Sequence, residues 1–143
     1  MKKIRDDRSL LSYVLLSIVT FGIYDIWYLH HLAKDVNVLC KDTGNKTSGV
    51  GALILLSLLT CGLYSLFWWF RIADMLNRAA RKKDIPAEVS GGAVLLCMIF
   101  SGFTMGITAL VATHQILGAT NRLAADYNLG VEKAAYYTTA TEA

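Results

Sequence analysis

Charge is scarce in this chain of 143 residues: Asp, Glu, Lys and Arg make up 17% of it, against 55% hydrophobic residues, and the formal net charge is +3. A water-soluble domain normally carries more charge than this, so the balance argues against an ordinary soluble fold. Proline occurs once, at Pro86, within the stretch Asp84 to Gly92 that reads as a connector. The three cysteines, Cys40, Cys61 and Cys97, show no CxxC spacing and, being odd in number, leave at least one unpaired within the monomer, which argues against a disulfide scaffold or a zinc site. No nucleophile with an adjacent base, no phosphate-binding glycine loop and no paired carboxylates occur, so no enzyme, cofactor or metal is expected. The opening Met1-Lys2-Lys3 resembles a secretion signal, but no small-x-small cleavage site follows.

What the chain does have is length in its apolar runs. Leu10 to Leu29, Val50 to Phe70 and Gly91 to Ala112 each hold at most one formal charge. Each is roughly 20 residues, enough to cross a hydrocarbon core of about 30 Å as helix. These runs are copies of one unit. Leu15 to Asn37 aligns without gaps onto Leu55 to Asn77, with Ser17/Ser57, Thr20/Thr60, Gly22/Gly62, Tyr24/Tyr64, Ala33/Ala73 and Asn37/Asn77 identical. A third copy places Ser101, Thr104, Gly106 and Asn121 at the positions of Ser57, Thr60, Gly62 and Asn77. The units lie at about residues 9–40, 49–83 and 90–128 of one membrane domain. A repeated unit seldom buries its apolar face alone, so the copies are expected to pack together.

Within each unit an apolar half is followed by Thr-x-Gly-x-Tyr and then by apolar residues at helical spacing, such as Leu66, Trp69, Ala73 and Leu76. Gly22 and Gly62 suit a left-handed position past a helix end, and Asp25 and Ser65 suit N-caps. The pattern predicts an all-α fold of three tandem helix-turn-helix repeats. Two topologies satisfy it. Three straight spans would put nine basic residues on one side and five on the other, in mild agreement with the positive-inside rule. Re-entrant hairpins would instead keep every polar segment on one face, which accounts for the equal polarity of repeats 1 and 2. The hairpin places Asp25 deep, where an ionised carboxylate costs about 2.5–3.5 kcal/mol.

The segments Leu16-Ser17-Ile18-Val19-Thr20-Phe21-Gly22-Ile23-Tyr24 and Leu56-Ser57-Leu58-Leu59-Thr60-Cys61-Gly62-Leu63-Tyr64, with Asn121-Arg122-Leu123-Ala124-Ala125-Asp126-Tyr127-Asn128, carry a resemblance. The chain resembles the bacterial domain-of-unknown-function family numbered 4234, small multi-pass membrane proteins. The third copy departs from the motif by placing Thr108 where the tyrosine stands. The resemblance implies a membrane location, and neither substrate nor catalytic residues.

The remaining features receive plain readings. His30 and His31 point about 100° apart on a helix and are read as interfacial residues rather than metal ligands. Trp27, Tyr28, Trp68, Trp69 and Phe70 are expected as headgroup-level anchors. Arg78, Arg81, Lys82 and Lys83 form a basic run suited to anionic lipid headgroups, with no module that would make nucleic acid a partner. Gly102 and Gly106 have the spacing of a close helix approach or of the bend. Asn37 and Asn77 are read as helix C-caps and Asn121 as an interhelical hydrogen-bonding group. Lys41 to Gly51 is expected as a flexible loop, a C-terminal amphipathic helix is expected from Gln115 to Tyr127, and residues 129–143 as a frayed tail.

The reading is therefore a non-enzymatic integral protein of a bacterial cytoplasmic membrane, a scaffold or accessory subunit acting through lipids, a membrane protein partner or copies of itself. The rival is a small oligomeric channel or transporter whose polar path is lined at the bends by Thr20, Asp25, Thr60, Ser65 and Thr104. A second rival is lipid sensing through the basic run.

Overall fold

A computed structural model describes residues 2–86 and 88–142. Six α-helices occur in it, and no strand among the described residues: α1 (Leu10–Val19), α2 (Ile23–Leu39), α3 (Val50–Leu59), α4 (Leu63–Lys82), α5 (Gly91–Phe100) and α6 (Ile107–Glu142). They alternate short and long, one pair to each repeat. Each apolar run is thus broken near its middle, which removes the straight-span alternative. Among the described residues no helix is long and apolar enough to cross a membrane, so the expected transmembrane helices have no candidate.

The break has the same geometry three times. The residues before the bend glycines, Phe21, Cys61 and Met105, each take φ of 51°, and Gly22, Gly62 and Gly106 follow at φ of 86°, 89° and 88°. The glycine N–H donates five residues back, Gly22 to the Ser17 carbonyl at 2.9 Å, Gly62 to Ser57 at 2.7 Å and Gly106 to Ser101 at 2.8 Å. This is a Schellman-type closure, which satisfies carbonyls the short helix would otherwise leave open. A Cβ on Gly62 or Gly106 would meet no atom within 4 Å, so glycine is required there by backbone conformation and not by space.

The long helices form the centre. Pairwise, α2, α4 and α6 all touch, while α1 lies against α2 and α6, α3 against α2 and α4, and α5 against α4 and α6. The three repeats therefore close into a ring in which each short helix sits between two long ones. Lys83, 21 residues beyond Gly62, pairs with Asp126, 20 residues beyond Gly106, so α4 and α6 run parallel from bends at one end. Trp68, Ile72, Leu76, Ile116, Leu123 and Val36 are fully buried where the long helices meet. Trp68 is therefore core and not an anchor; its indole Nε1–H donates to the Ser48 carbonyl at 3.1 Å. Tyr28 is buried likewise, and only Trp27 and Phe67 of these aromatic stretches are about half-exposed.

Asparagines seal the ring at the end away from the bends. Asn37 pairs through its amide with both backbone groups of Thr47, accepting from its N–H at 2.7 Å and donating to its carbonyl at 3.2 Å. Asn121, at the equivalent place, does the same to Arg8, at 3.1 and 2.9 Å. Asn128, one heptad on, does the same to Ile4, at 2.8 and 2.7 Å. The extended segment of residues 2–9 is thus fastened to α6 across more than a hundred residues of chain. The C-cap reading of Asn37 and Asn77 is overturned, since α2 and α4 continue past them to Leu39 and Lys82. α6 likewise carries helix to Glu142, across the residues expected to fray. The loop after α2 begins with a short 3-10 helix, Lys41–Thr43.

Candidate functional sites: the bend tips and the basic end

At the tips, a cap is supplied by the threonine of the motif. The hydroxyl of Thr20 accepts from the Tyr24 N–H at 3.0 Å and that of Thr60 from the Tyr64 N–H at 3.0 Å. Thr104 repeats this on Thr108 at 3.3 Å. Thr20 and Thr60 also donate back to the carbonyls of Leu16 and Leu56 at 2.7 Å. One threonine thereby closes the short helix and opens the long one, because the two left-handed residues after it turn the chain straight back. Asp25 and Ser65, expected as caps, instead fall inside the first turn of the long helices. The Asp25 carboxylate accepts from the Ser17 hydroxyl, and the Ser65 hydroxyl donates to the Gly62 carbonyl at 2.6 Å.

The side chains around these bends are apolar and uncovered. Phe21 is 97% exposed, Met105 96% and Phe103 86%, and Leu58, Leu59, Ile18, Val19, Ile23, Leu63 and Ile107 are exposed beside them. No residue of α1 is buried, and the short helices do not touch one another among the described residues. Large exposed apolar side chains thus gather at all three bends. Gly102 falls in the turn with nothing within 4 Å of a Cβ, so the Gly102/Gly106 pair serves the bend and makes no helix approach here. The close approach is made by Gly91, where a Cβ would come within 2.9 Å of the Phe70 ring and 3.2 Å of the Phe70 carbonyl oxygen. The repeat alignment gave no sign of it.

At the other end, the basic run on α4 is largely engaged. Arg78 pairs with Asp74 at 2.8 Å, Arg81 donates to Asn77 at 3.0 Å, Lys82 to the Asp42 carbonyl at 2.6 Å and Lys83 to Asp126 at 2.9 Å. A second basic group joins the N-terminal cations to one on α2. The pinned segment lays Lys2, Lys3, Arg5 and Arg8 against the face of α2 that carries Trp27, His31 and Lys34, enclosing a cavity of about 560 Å³. Arg8 is nearly buried and paired with Asp35. His31 rests on Trp27, ring centroids 4.2 Å apart, with its Nδ1 2.9 Å from the Trp27 carbonyl oxygen. The buried hydroxyl of Tyr28 has no hydrogen-bond partner among the described residues.

The thiols also divide. Cys40, at the end of α2, is fully buried, and burial pushes its thiol up to about 12, while Cys61 is exposed at a bend tip. No group of three or more His, Cys, Asp or Glu side chains is placed to hold a metal among the described residues, and His30 and His31 lie edge to face 5.7 Å apart.

The model of one family, the domain of unknown function DUF4234, matches this chain over residues 8–55 and 48–122, and the chain belongs to that family. The two matches overlap at residues 48–55; the first covers the first repeat and the start of α3, and the second covers the second repeat and most of the third. No curated protein and no solved structure matches.

Proposed function

We propose that this protein is a non-enzymatic component of a bacterial cytoplasmic membrane that dips its three helical hairpins into one leaflet and acts as a scaffold or accessory subunit, by packing against membrane partners or copies of itself. The observation that carries the reading is the exposed apolar surface at all three bends, on one end of a ring whose basic residues lie on the other. A ten-residue helix is about 15 Å long, half of a hydrocarbon core of about 30 Å. Hairpins of that reach fit a single leaflet. Within each bend threonine and glycine close much of the backbone on itself, which reduces the hydrogen bonds asked of lipid, which has none to give.

The transport reading has less behind it. The hydroxyls of Thr20, Thr60 and Thr104 are spent on their own turns, and large apolar side chains fill the space between the long helices.

Cysteine labelling tests the membrane reading, using the Cys97→Ser variant so that only Cys40 and Cys61 remain. In mild detergent that a polar maleimide can penetrate after brief denaturation, both thiols label. In sealed vesicles, leaky vesicles and inverted vesicles alike, the folded protein should label at neither, Cys61 because lipid surrounds it and Cys40 because protein does. Prompt labelling of Cys61 from either aqueous side, or a folded monomer in buffer without detergent, would refute the reading.

A further inference from the structure

We propose that the cavity between the N-terminal segment and α2 binds the phosphate of an anionic lipid headgroup, a site separate from the Arg78 to Lys83 run; this rests on the membrane reading above.

Charge gives the first argument. Lys2, Lys3, Arg5, Arg8 and Lys34 line the cavity, and Asp35 is the one acid among the lining residues. Arg8 is held by Asp35, Lys3 by Glu132 and Arg5 by Asp7, which fixes the direction of those three cations. Lys34 has no ion pair among the described residues. Its ammonium stands free beside the cavity. A single phosphate needs several donors at once, and lysine and arginine supply them in a charge-assisted form.

Preorganisation gives the second. The segment that carries four of the cations is extended backbone, which on its own would sample many conformations. Asn121 and Asn128 fix it at Arg8 and Ile4, each through two hydrogen bonds to the main chain. The ordering cost is met in folding and not on binding.

Depth identifies the source of the phosphate. Along α2 the lining residues run from Trp27 and Tyr28, nearest the bend, through His31 to Lys34 and Asp35. At 1.5 Å per residue Lys34 lies about 18 Å from Gly22 and Trp27 about 7.5 Å from it. If the tips reach the bilayer centre, half of a core about 30 Å thick puts Lys34 at the headgroup and Trp27 midway down the acyl layer. An aromatic wall on the acyl side and cations on the water side is the order in which a phospholipid presents itself. A free phosphate would use the cations and leave the aromatic wall idle.

The test is thermal unfolding of the full chain in a neutral detergent, with short-chain phosphatidylglycerol, phosphatidylcholine of the same chain length, or inorganic phosphate added. Phosphatidylglycerol should raise Tm by several degrees, and the other two should not. The Lys2→Gln, Lys3→Gln, Arg5→Gln, Lys34→Gln variant leaves both asparagine clamps in place, and it should lose at least half of that shift. The Arg78→Gln, Arg81→Gln, Lys82→Gln, Lys83→Gln variant should keep it. Four outcomes overturn the proposal: no shift in the native chain, an equal shift with phosphatidylcholine, an equal shift with inorganic phosphate, or loss of the shift only in the second variant. Because the measurement is made in detergent, its failure is distinguishable from failure of bilayer insertion, which the labelling of Cys61 reads separately.

Discussion

Asparagine carries more of this structure than its place in the sequence suggests. At positions 37, 121 and 128 a primary amide lies flat against a piece of extended main chain and satisfies one N–H and one carbonyl together. No other uncharged side chain of similar size except glutamine offers both a donor and an acceptor in one plane, and glutamine is a methylene too long for the same approach. Truncation to alanine leaves two backbone groups open at each site, at about 1–3 kcal/mol for a group that stays buried. Asn128→Ala should therefore be costlier than a surface change, since the Ile4 bonds are buried, and Asn121→Ala should fall below it. The check is chemical unfolding in detergent combined with amide exchange. The amides of Ile4 and Arg8 should lose protection in these variants while those of α4 keep theirs. Equal protection at Ile4 in the native and Asn128→Ala chains would show that the clamp is not what holds the segment.

At the scale of elements, the unit is the helix-turn-helix pair, and its turn is written in three residues. Thr60 accepts from Tyr64 and donates to Leu56, Cys61 turns left-handed, and Gly62 completes the turn. Thr60→Val keeps the shape and loses both bonds, and should cost about 0.5–2 kcal/mol, as for other lost caps. Thr60→Ser should recover most of it. Gly62→Ala should cost roughly 1 kcal/mol through φ alone, because nothing crowds the new methyl. Denaturation midpoints of the three variants in one detergent decide this, and a Thr60→Val chain as stable as Thr60→Ser would remove the capping role. The bend itself could be read from the repeat, because Thr-x-Gly-x-Tyr recurs and glycine past an apolar run is a local signal. Assignment of the cap could not, since Asp25 and Ser65 are better capping residues by composition and only the second left-handed residue shifts the cap back to threonine. Trp68 was misplaced for a related reason. Its neighbours Trp69 and Phe70 make it look like an interfacial belt, and the partner that buries it, the Ser48 carbonyl, belongs to a different part of the chain. The N-terminal cations stand together in the sequence, but the cavity they form with Lys34 and Trp27 could not be read there, since it exists only once α2 folds back on α1 and the asparagines pin the segment.

The whole molecule has two ends of opposite character, and the choice between water and lipid around the upper one can be put to a quantitative test. The core is centred on the three long helices, where α2, α4 and α6 bury their facing sides; α3 and α5 add Val50, Leu53, Gly91 and Val94, and the segments outside the helices add Ile4, Cys40 and Val89. Above that core the short helices spread apart with their apolar sides uncovered. In water an arginine at Phe21, Cys61 or Met105 would be a surface substitution within about ±0.5 kcal/mol, and would improve solubility. In a leaflet the same change places a guanidinium near the bilayer centre, at about 2.5–3.5 kcal/mol on insertion scales. The three positions are related by the repeat and belong to hairpins whose short helices do not touch, so their penalties should be nearly additive. Phe21→Arg, Cys61→Arg and Met105→Arg should each weaken retention in vesicles by a similar factor, and the triple variant should leave the membrane fraction while remaining helical in detergent. A triple variant retained as firmly as the native chain would mean that the tips are not where the protein meets lipid.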